Sequence, residues 1–349
     1  MAKNTLLIRA DANTHIGTGH VMRCLALAQA WQDNGGTVTF LMVPGLPSLE
    51  QRILTEGMNV IPITEQPGSN DDAKITAEIA KKIESSWVVV DGYQFGANYQ
   101  KILKEHNCRI LFIDDYGHAD HYYADIVLNQ NIFADMSFYK NYESYTRFLL
   151  GTKYALLRKE FLKWSGWHRD IPEVARKILV TLGGSDPDNV TLKVIEAVKT
   201  VGVSGIEVIV VVGGANPHFN LIRETVKDLS NFTLIKNADN MPELMAWADV
   251  AISGGGSTCW ELAFMGLPSI LCPIAENQKI ITQKLHKIRA AVGLPLGNLT
   301  SIKDVTLFIN SFVKKKKLRS ELSLTQKNLV DGTGAKNIVT IMIGETQDE

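Results

Sequence analysis

Cysteine is scarce in this sequence. Four are scattered over 349 residues, at Cys24, Cys108, Cys259 and Cys272, with no CxxC pair and no pair of histidines at zinc spacing. That argues against a disulfide framework and a structural zinc site, and the thiols are expected to be reduced and buried. An excess of charge of one sign is lacking too: 36 basic residues face 37 acidic ones, a net charge of −1. No broad field exists to attract nucleic acid or a membrane surface, so any anionic ligand must be held locally. Long hydrophobic runs are also missing. The longest uncharged apolar-rich stretch, Leu262 to Ala275, is broken by Gly266, Pro268 and Pro273 and is too short to span a bilayer. Arg9 and Asp11 interrupt the N-terminal apolar segment before a signal-peptide core forms. A cytoplasmic protein without membrane insertion is expected. Two nucleotide fingerprints are absent as well. GxGxxG after the first strand needs a third glycine where Met22 stands, no acidic residue closes the apolar Phe40 to Val43, and no Walker A sequence occurs.

What is present is ordinary globular composition, 45% hydrophobic and 21% charged, in a chain long enough for two domains at roughly 150 residues each. Short Val- and Ile-rich runs alternate with amphipathic segments, the pattern of βαβ units around a parallel sheet. Strands are predicted at Thr5 to Arg9, Thr37 to Met42, Asn59 to Pro62, Trp87 to Asp91, Arg109 to Asp114 and Ile126 to Leu128. A Gly-, Pro- and charge-rich stretch, Ser165 to Arg176, marks a seam. The pattern then restarts at Lys177 to Leu182, Glu207 to Val212, Phe232 to Ile235, Val250 to Ser253 and Ser269 to Cys272. The expectation is an α/β protein with a domain over 1–165, a second over 176–330, and a closing helix and tail over 331–349 that packs back across them. Ligands of open parallel sheets collect beyond the carboxyl ends of the strands, so a site in a cleft between the two sheets is expected.

The first strand runs into RADANTHIGTGHVMR, where Gly17 and Gly19 form a tight loop and His20 opens a helix. Flanking glycines admit a ligand, the strand end faces a site, and a helix N-terminus favours the neutral imidazole that a general base needs. The alternative is a histidine that merely hydrogen-bonds its loop; His15 is a weaker candidate. Arg23, three residues on and on the same helix face, suits an acidic partner such as Asp11 or a phosphate, or an ordinary ion pair. In the second half LGGSD places Gly183, Gly184 and Ser185 after a strand, and SGGGSTCWE places Gly256 and Ser257 at a helix start with Glu261 one turn later. Free backbone N–H groups at such loops suit a diphosphate, and Glu261 is placed to reach a ribose diol. A plain helix cap is the competing account of each.

GGGSTCWELAFMGLP, with the upstream NMPELMAWADVAIS, resembles the nucleotide-sugar half of GT-B glycosyltransferases, of the kind found in the lipid II GlcNAc transferase. RADANTHIGTGHVMR, VDGY, FIDD, LGGSD and ENQ together resemble the PseG family, the UDP-sugar hydrolases of pseudaminic acid biosynthesis, to which spore-coat polysaccharide proteins are related. The resemblance runs in order through essentially the whole chain. It implies a GT-B-like fold of two Rossmann-like domains with parallel sheets facing a central cleft, and a cofactor- and metal-independent hydrolase. The substrate it implies is a UDP-linked diacetamido sugar, UDP-2,4-diacetamido-2,4,6-trideoxy-L-altrose, cleaved at C1 with inversion. It further implies His20 as base, Tyr93 beside the reacting sugar, and Asn277 and Gln278 with Glu261 and the Gly256-Ser257 amides on the nucleotide side. Arg9, Asp11, Gly17, Gly19 and Arg23 are expected to line the rest of the site. Asp11, Asp91, Asp114 and Asp115 are available to orient His20 or bind hydroxyls; for Asp114 and Asp115, strand-end hydrogen bonding is expected first. A monomer is expected. Two rivals remain: a GT-B glycosyltransferase using a UDP-amino sugar, and a non-catalytic nucleotide-sugar binder.

Overall fold

The computed structural model describes residues 4–13, 16–294 and 301–347. His15 lies outside the described residues. In chain order the elements begin β1 (Thr5–Ala10), α1 (Gly19–Asp33), β2 (Thr37–Met42), α2 (Pro47–Thr55), β3 (Asn59–Pro62), α3 (Asn70–Lys82) and β4 (Ser85–Asp91). Then come α4 (Ala97–Glu105), β5 (Ile110–Ile113), β6 (Ile126–Asn129), β7 (Arg147–Leu150) and α5 (Lys159–Leu162). They continue with β8 (Lys177–Thr181), α6 (Val190–Lys199), β9 (Glu207–Val212), α7 (Phe219–Val226), β10 (Phe232–Lys236), α8 (Met241–Trp247) and β11 (Val250–Ser253). Last are α9 (Thr258–Phe264), β12 (Ser269–Leu271), α10 (Glu276–Lys287), β13 (Val292–Gly293), α11 (Ile302–Lys314), α12 (Lys316–Lys327) and α13 (Gly334–Gln347).

Contacts divide the chain into two units. Unit 1 holds Met1–Asn13, His20–Lys159 and Thr333–Glu349, and unit 2 holds Thr14–Gly19 and Glu160–Gly332. The division falls shortly before the composition shift at Ser165. Unit 1 is a seven-stranded sheet in the order β3-β2-β1-β4-β5-β6-β7, and unit 2 a six-stranded sheet in the order β10-β9-β8-β11-β12-β13. Every pairing among these strands is parallel. Parallel strands are covered on both faces and so read as continuous apolar runs: β1 and β5 are buried along their whole length. The strand order reverses between β1 and β4 in unit 1 and between β8 and β11 in unit 2, the positions where doubly wound sheets bind ligands.

The helices follow the same logic. In α1, Val21, Cys24, Leu25, Leu27, Ala28 and Trp31 are buried, which leaves Arg23 and Gln29 as polar groups that need partners inside. α3 starts at Ser69, whose hydroxyl accepts from the Asp72 amide at 3.1 Å. Among the described residues no helix is long and apolar enough to cross a membrane.

Candidate active site

At the switch point of unit 1, β4 ends on Asp91, fully buried, while α1 presents His20 and, one turn on, Arg23. His20 Nδ1 lies 2.7 Å from Asp91 Oδ1. Arg23 grips the same carboxylate with both prongs, Nε to Oδ2 at 2.7 Å and Nη2 to Oδ1 at 2.6 Å, and gives Nη1 to Asp115 Oδ1 at 2.8 Å. Asp115 also accepts from the Tyr93 hydroxyl at 2.7 Å and from Asn131 Nδ2 at 2.8 Å. Tyr93 returns to the start of the chain of contacts, its ring set edge-on to His20 with centroids 4.9 Å apart. The turn that aims Tyr93 requires Gly92, at φ 153°, where a Cβ would sit within 2.9 Å of the Gln94 side chain and the Phe95 ring.

Burial alone would raise the Asp91 carboxyl, but the Arg23 guanidinium and His20 overcome it and hold the group far below the usual carboxylate range. Asp115 is depressed in the same way, burial opposing and Arg23 prevailing. Burial likewise works against the Arg23 charge, and Asp115 and Asp91 hold it above the ordinary guanidinium value. An ionised Asp91 only accepts, so His20 Nδ1 donates to it, and in the neutral ring the lone pair falls to Nε2. A carboxylate-oriented imidazole of this kind is equipped to take a proton.

The other acids of unit 1 serve elsewhere. Asp114 accepts from the amides of Tyr116 at 2.7 Å and Gly117 at 2.6 Å and from the Tyr122 hydroxyl at 2.5 Å, which makes it the strand-end cap expected of it. Asp115, expected to do likewise, joins the His20 network instead. Arg9, expected to line the site, spends its guanidinium on partners inside unit 1. It has no exposed surface, holds Asp72 through Nε and Nη2 at 2.9 Å each and Asp11 through Nη1 at 2.6 Å, and lies over the Phe95 ring. Asp11 is turned to Arg9, the Val43 amide at 2.8 Å and Gln94 Nε2 at 3.3 Å rather than to Arg23. This second network fastens β1, the end of β2 and the start of α3 together.

In unit 2 the loop after β8 carries Gly183, Gly184 and Ser185, and Asp186 turns back to cap α6 through the amides of Val190 and Thr191 at 2.8 Å each. A third glycine loop, Gly213-Gly214 after β9, escaped the sequence reading although VVVGG repeats the strand-then-glycine signal of LVTLGG. A Cβ on Gly213 would lie 2.6 Å from Gly184 Cα, so the two loops pack backbone on backbone. Thr18, grouped with this unit along with Gly17 and Gly19, lies where a Cβ on Gly184 would come within 2.9 Å of its hydroxyl. After β11, Gly254 to Ser257 lead into α9, on whose first turn Glu261 stands. Gln278 is turned inward. Its Oε1 accepts from the amides of Gly255 at 2.9 Å and Ile274 at 3.0 Å, which pins the loop instead of offering that oxygen to a ligand. Asn277 is exposed at the start of α10. Nothing local in the sequence announced Asn131, which reaches Asp115 across 16 residues.

Residues 178–330 match the Glycosyltransferase family 28 C-terminal domain. An uncharacterized protein of Methanocaldococcus jannaschii is 28% identical over 78% of this chain and 56% of its own length. The spore coat polysaccharide biosynthesis protein SpsG of Bacillus subtilis is 27% identical over 70% of this chain and 71% of its own. The UDP-2,4-diacetamido-2,4,6-trideoxy-beta-L-altropyranose hydrolase of Campylobacter jejuni is 27% identical over 69% of this chain and 81% of its own. Among solved structures, Acinetobacter baumannii MurG superposes with a TM-score of 0.64 at 15% identity, covering 98% of this chain and 99% of that one. The spinosyn rhamnosyltransferase SpnG complexed with thymidine diphosphate gives 0.66 at 14% identity, covering 97% and 99%. The fold is therefore GT-B-like, two Rossmann-like units, and the resemblance to the PseG hydrolases and their spore-coat relatives is upheld by the named relatives.

Proposed function

We infer that the protein is a nucleotide-sugar hydrolase that releases UDP and 2,4-diacetamido-2,4,6-trideoxy-L-altrose from the UDP-sugar, as a step of pseudaminic acid biosynthesis. The observation that carries the reading is the His20–Asp91 pair at 2.7 Å, which leaves His20 Nε2 as a base. A water molecule gives its proton to Nε2 as its oxygen bonds to C1 from the face opposite the nucleotide. The C1–oxygen bond breaks with its electron pair passing to UDP, so the configuration at C1 inverts. Tyr93, held by Asp115, is assigned to the sugar. The Gly183-Gly184-Ser185 and Gly256-Ser257 loops and Glu261 are assigned to UDP, where backbone N–H groups meet the growing phosphate charge. UDP is a good leaving group, so no second carboxylic acid at glycosidase spacing is required. Metal independence is part of the proposal. The name of the Campylobacter jejuni relative supports the substrate.

The match of residues 178–330 to a glycosyltransferase domain favours a second reading, transfer of the sugar to an acceptor hydroxyl. One NMR time course with EDTA present distinguishes them, following the anomeric proton and UDP together for wild type and His20→Ala. Free inverted sugar appearing with UDP, and lost at least a hundredfold in the variant, is the expected result. UDP released only with an acceptor present means a transferase, and binding of UDP without products means a binder.

A further inference from the structure

His118 has no part in the scheme above, yet its surroundings dictate its protonation state. Its side chain is 9% exposed, with Nδ1 3.2 Å from Asp114 Oδ2, an ion-pair contact not aligned as a hydrogen bond. Nε2 lies 3.0 Å from the Phe95 carbonyl oxygen, which only accepts. The Asp114 carboxylate already gathers three backbone N–H groups, among them that of His118 itself, and the Tyr122 hydroxyl, so it too is an acceptor. A neutral imidazole has one N–H and one lone pair, so one nitrogen would aim its lone pair at an oxygen. The imidazolium satisfies both sides.

The ring also stands within a group of aromatics. Tyr93 meets it edge-on at 6.0 Å, Tyr116 lies at 5.7 Å and Phe112 at 5.5 Å. The titratable groups facing it are Asp114, Asp115 and Tyr116 from its own loop, Tyr93 from the loop after β4, and Tyr122 across Asp114. All are anionic or neutral. Burial pushes the imidazole down, but Asp114, the Phe95 carbonyl and Asp115 outweigh it and hold the group above its ordinary value.

The geometry points to His118 as a positioning residue that, as an imidazolium, clips the loop after β5 to the loop after β4 and so holds Tyr93 against His20 and Asp115. This rests on the assignment of His20 and Tyr93 to the proposed reaction. Loss of the proton to solvent sets a lone pair against Asp114 or Phe95, and the two loops part. Because the folded-state value is raised, the clip is fully made below the unfolded histidine value of about 6.5 and is lost as pH rises through the folded one. That gives turnover an alkaline limit.

The test uses the full chain labelled with 15N-histidine and ring-13C-tyrosine. Both His118 nitrogens are expected to be protonated at pH 6, with a midpoint above about 6.5. The Tyr93 ring resonances are expected to shift at that same midpoint and to lose the shift in His118→Gln. On the UDP-sugar, wild-type kcat/KM should fall toward about tenfold per pH unit above the midpoint, while His118→Gln lacks that alkaline fall. A His118 midpoint at or below about 6.5, Tyr93 resonances indifferent to its titration, or an alkaline limb unchanged in His118→Gln overturns the proposal. The Tyr93 signal needs no substrate, so a wild type that turns nothing over strikes the hydrolase reading while the clip is still judged by the two midpoints. Should His118→Gln fail to fold, whether those wild-type midpoints coincide still decides.

Discussion

Buried against Arg23 and His20, the two oxygens of Asp91 hold a guanidinium and an imidazole at once. An amide in its place has one accepting oxygen and an NH2 group that must face a donor. Asp91→Asn is therefore expected either to leave His20 in the wrong tautomer or to leave Arg23 half-paired. By analogy with other carboxylate–histidine pairs, kcat should fall by about 10²–10⁴. Stability should fall by up to about 3–5 kcal/mol, the cost of breaking a buried ion pair, moderated because Asp115 still holds Nη1. The Asp91 carboxyl is depressed on folding, so its contribution is complete above the unfolded value of about 3.9 and fades as pH falls below it. Urea melts from pH 3 to 7 should show that acid-side loss in the wild type and a weaker one in the variant. An active variant with a wild-type pH–rate profile would remove Asp91 from the mechanism. The pairing was only half legible in the sequence. His20 stands beside glycines and announces itself, whereas its choice among Asp11, Asp91, Asp114 and Asp115 depends on which strand lies next to β1. Asp114 and Asp115 are adjacent in sequence, yet successive side chains diverge, so one caps a turn and the other meets Arg23.

At the scale of elements, the strands were read closely because parallel strands buried on both faces are uninterrupted apolar runs. β2, β9 and β11 fall where the sequence placed them, and so does the exposed edge strand β3. β7 and β13 were missed for the converse reason. The first is a four-residue edge strand that is partly exposed and the second has two residues, so neither carries a run long enough to stand out. The local sequence does not show that the Gln278 oxygen meets the Gly255 amide, 23 residues away. The contact between the loops after β8 and β9 is the feature of unit 2 with the sharpest consequence. Gly213→Ala puts a methyl carbon 2.6 Å from both Gly184 Cα and its carbonyl oxygen, backbone atoms that cannot rotate away. The loop carrying Gly183 to Ser185 must shift, at a cost of about 1–3 kcal/mol typical of overpacking. If that loop holds UDP, calorimetric titration should show affinity weakened by about tenfold or more, each tenfold being about 1.4 kcal/mol. The His20–Asp91 pair, on another sheet, should keep its NMR signature. Unchanged UDP affinity would move the nucleotide away from this loop.

For the whole molecule, the last helix belongs with the first unit. After passing through unit 2 the chain returns at Thr333, and α13 lays Ala335, Ile338, Val339 and Met342 inward at the spacing of one helix face. The Met342 carbonyl accepts from the fully buried Trp87 indole at 3.2 Å, and Gly334 sits so close to Ala155 that a Cβ there would lie 2.3 Å from its carbonyl oxygen. The sequence shows a turn and a helix over Asp331 to Ile343 but not which sheet the helix covers, since an apolar stripe does not name its partner. Burying Ile338, Val339 and Met342 stabilises unit 1 by about 1.5–3 kcal/mol for each side chain. That sum is comparable with the roughly 5–15 kcal/mol that separates a folded domain from its unfolded chain. A chain ending at Asp331 should therefore lose unit 1 selectively. In urea it should show an early transition that exposes Trp31 and Trp87, followed by a later one at the wild-type midpoint from unit 2, where Trp260 reports. UDP, assigned to unit 2, should shift only the later transition. A single transition at the wild-type position would mean that α13 covers unit 1 without supporting it.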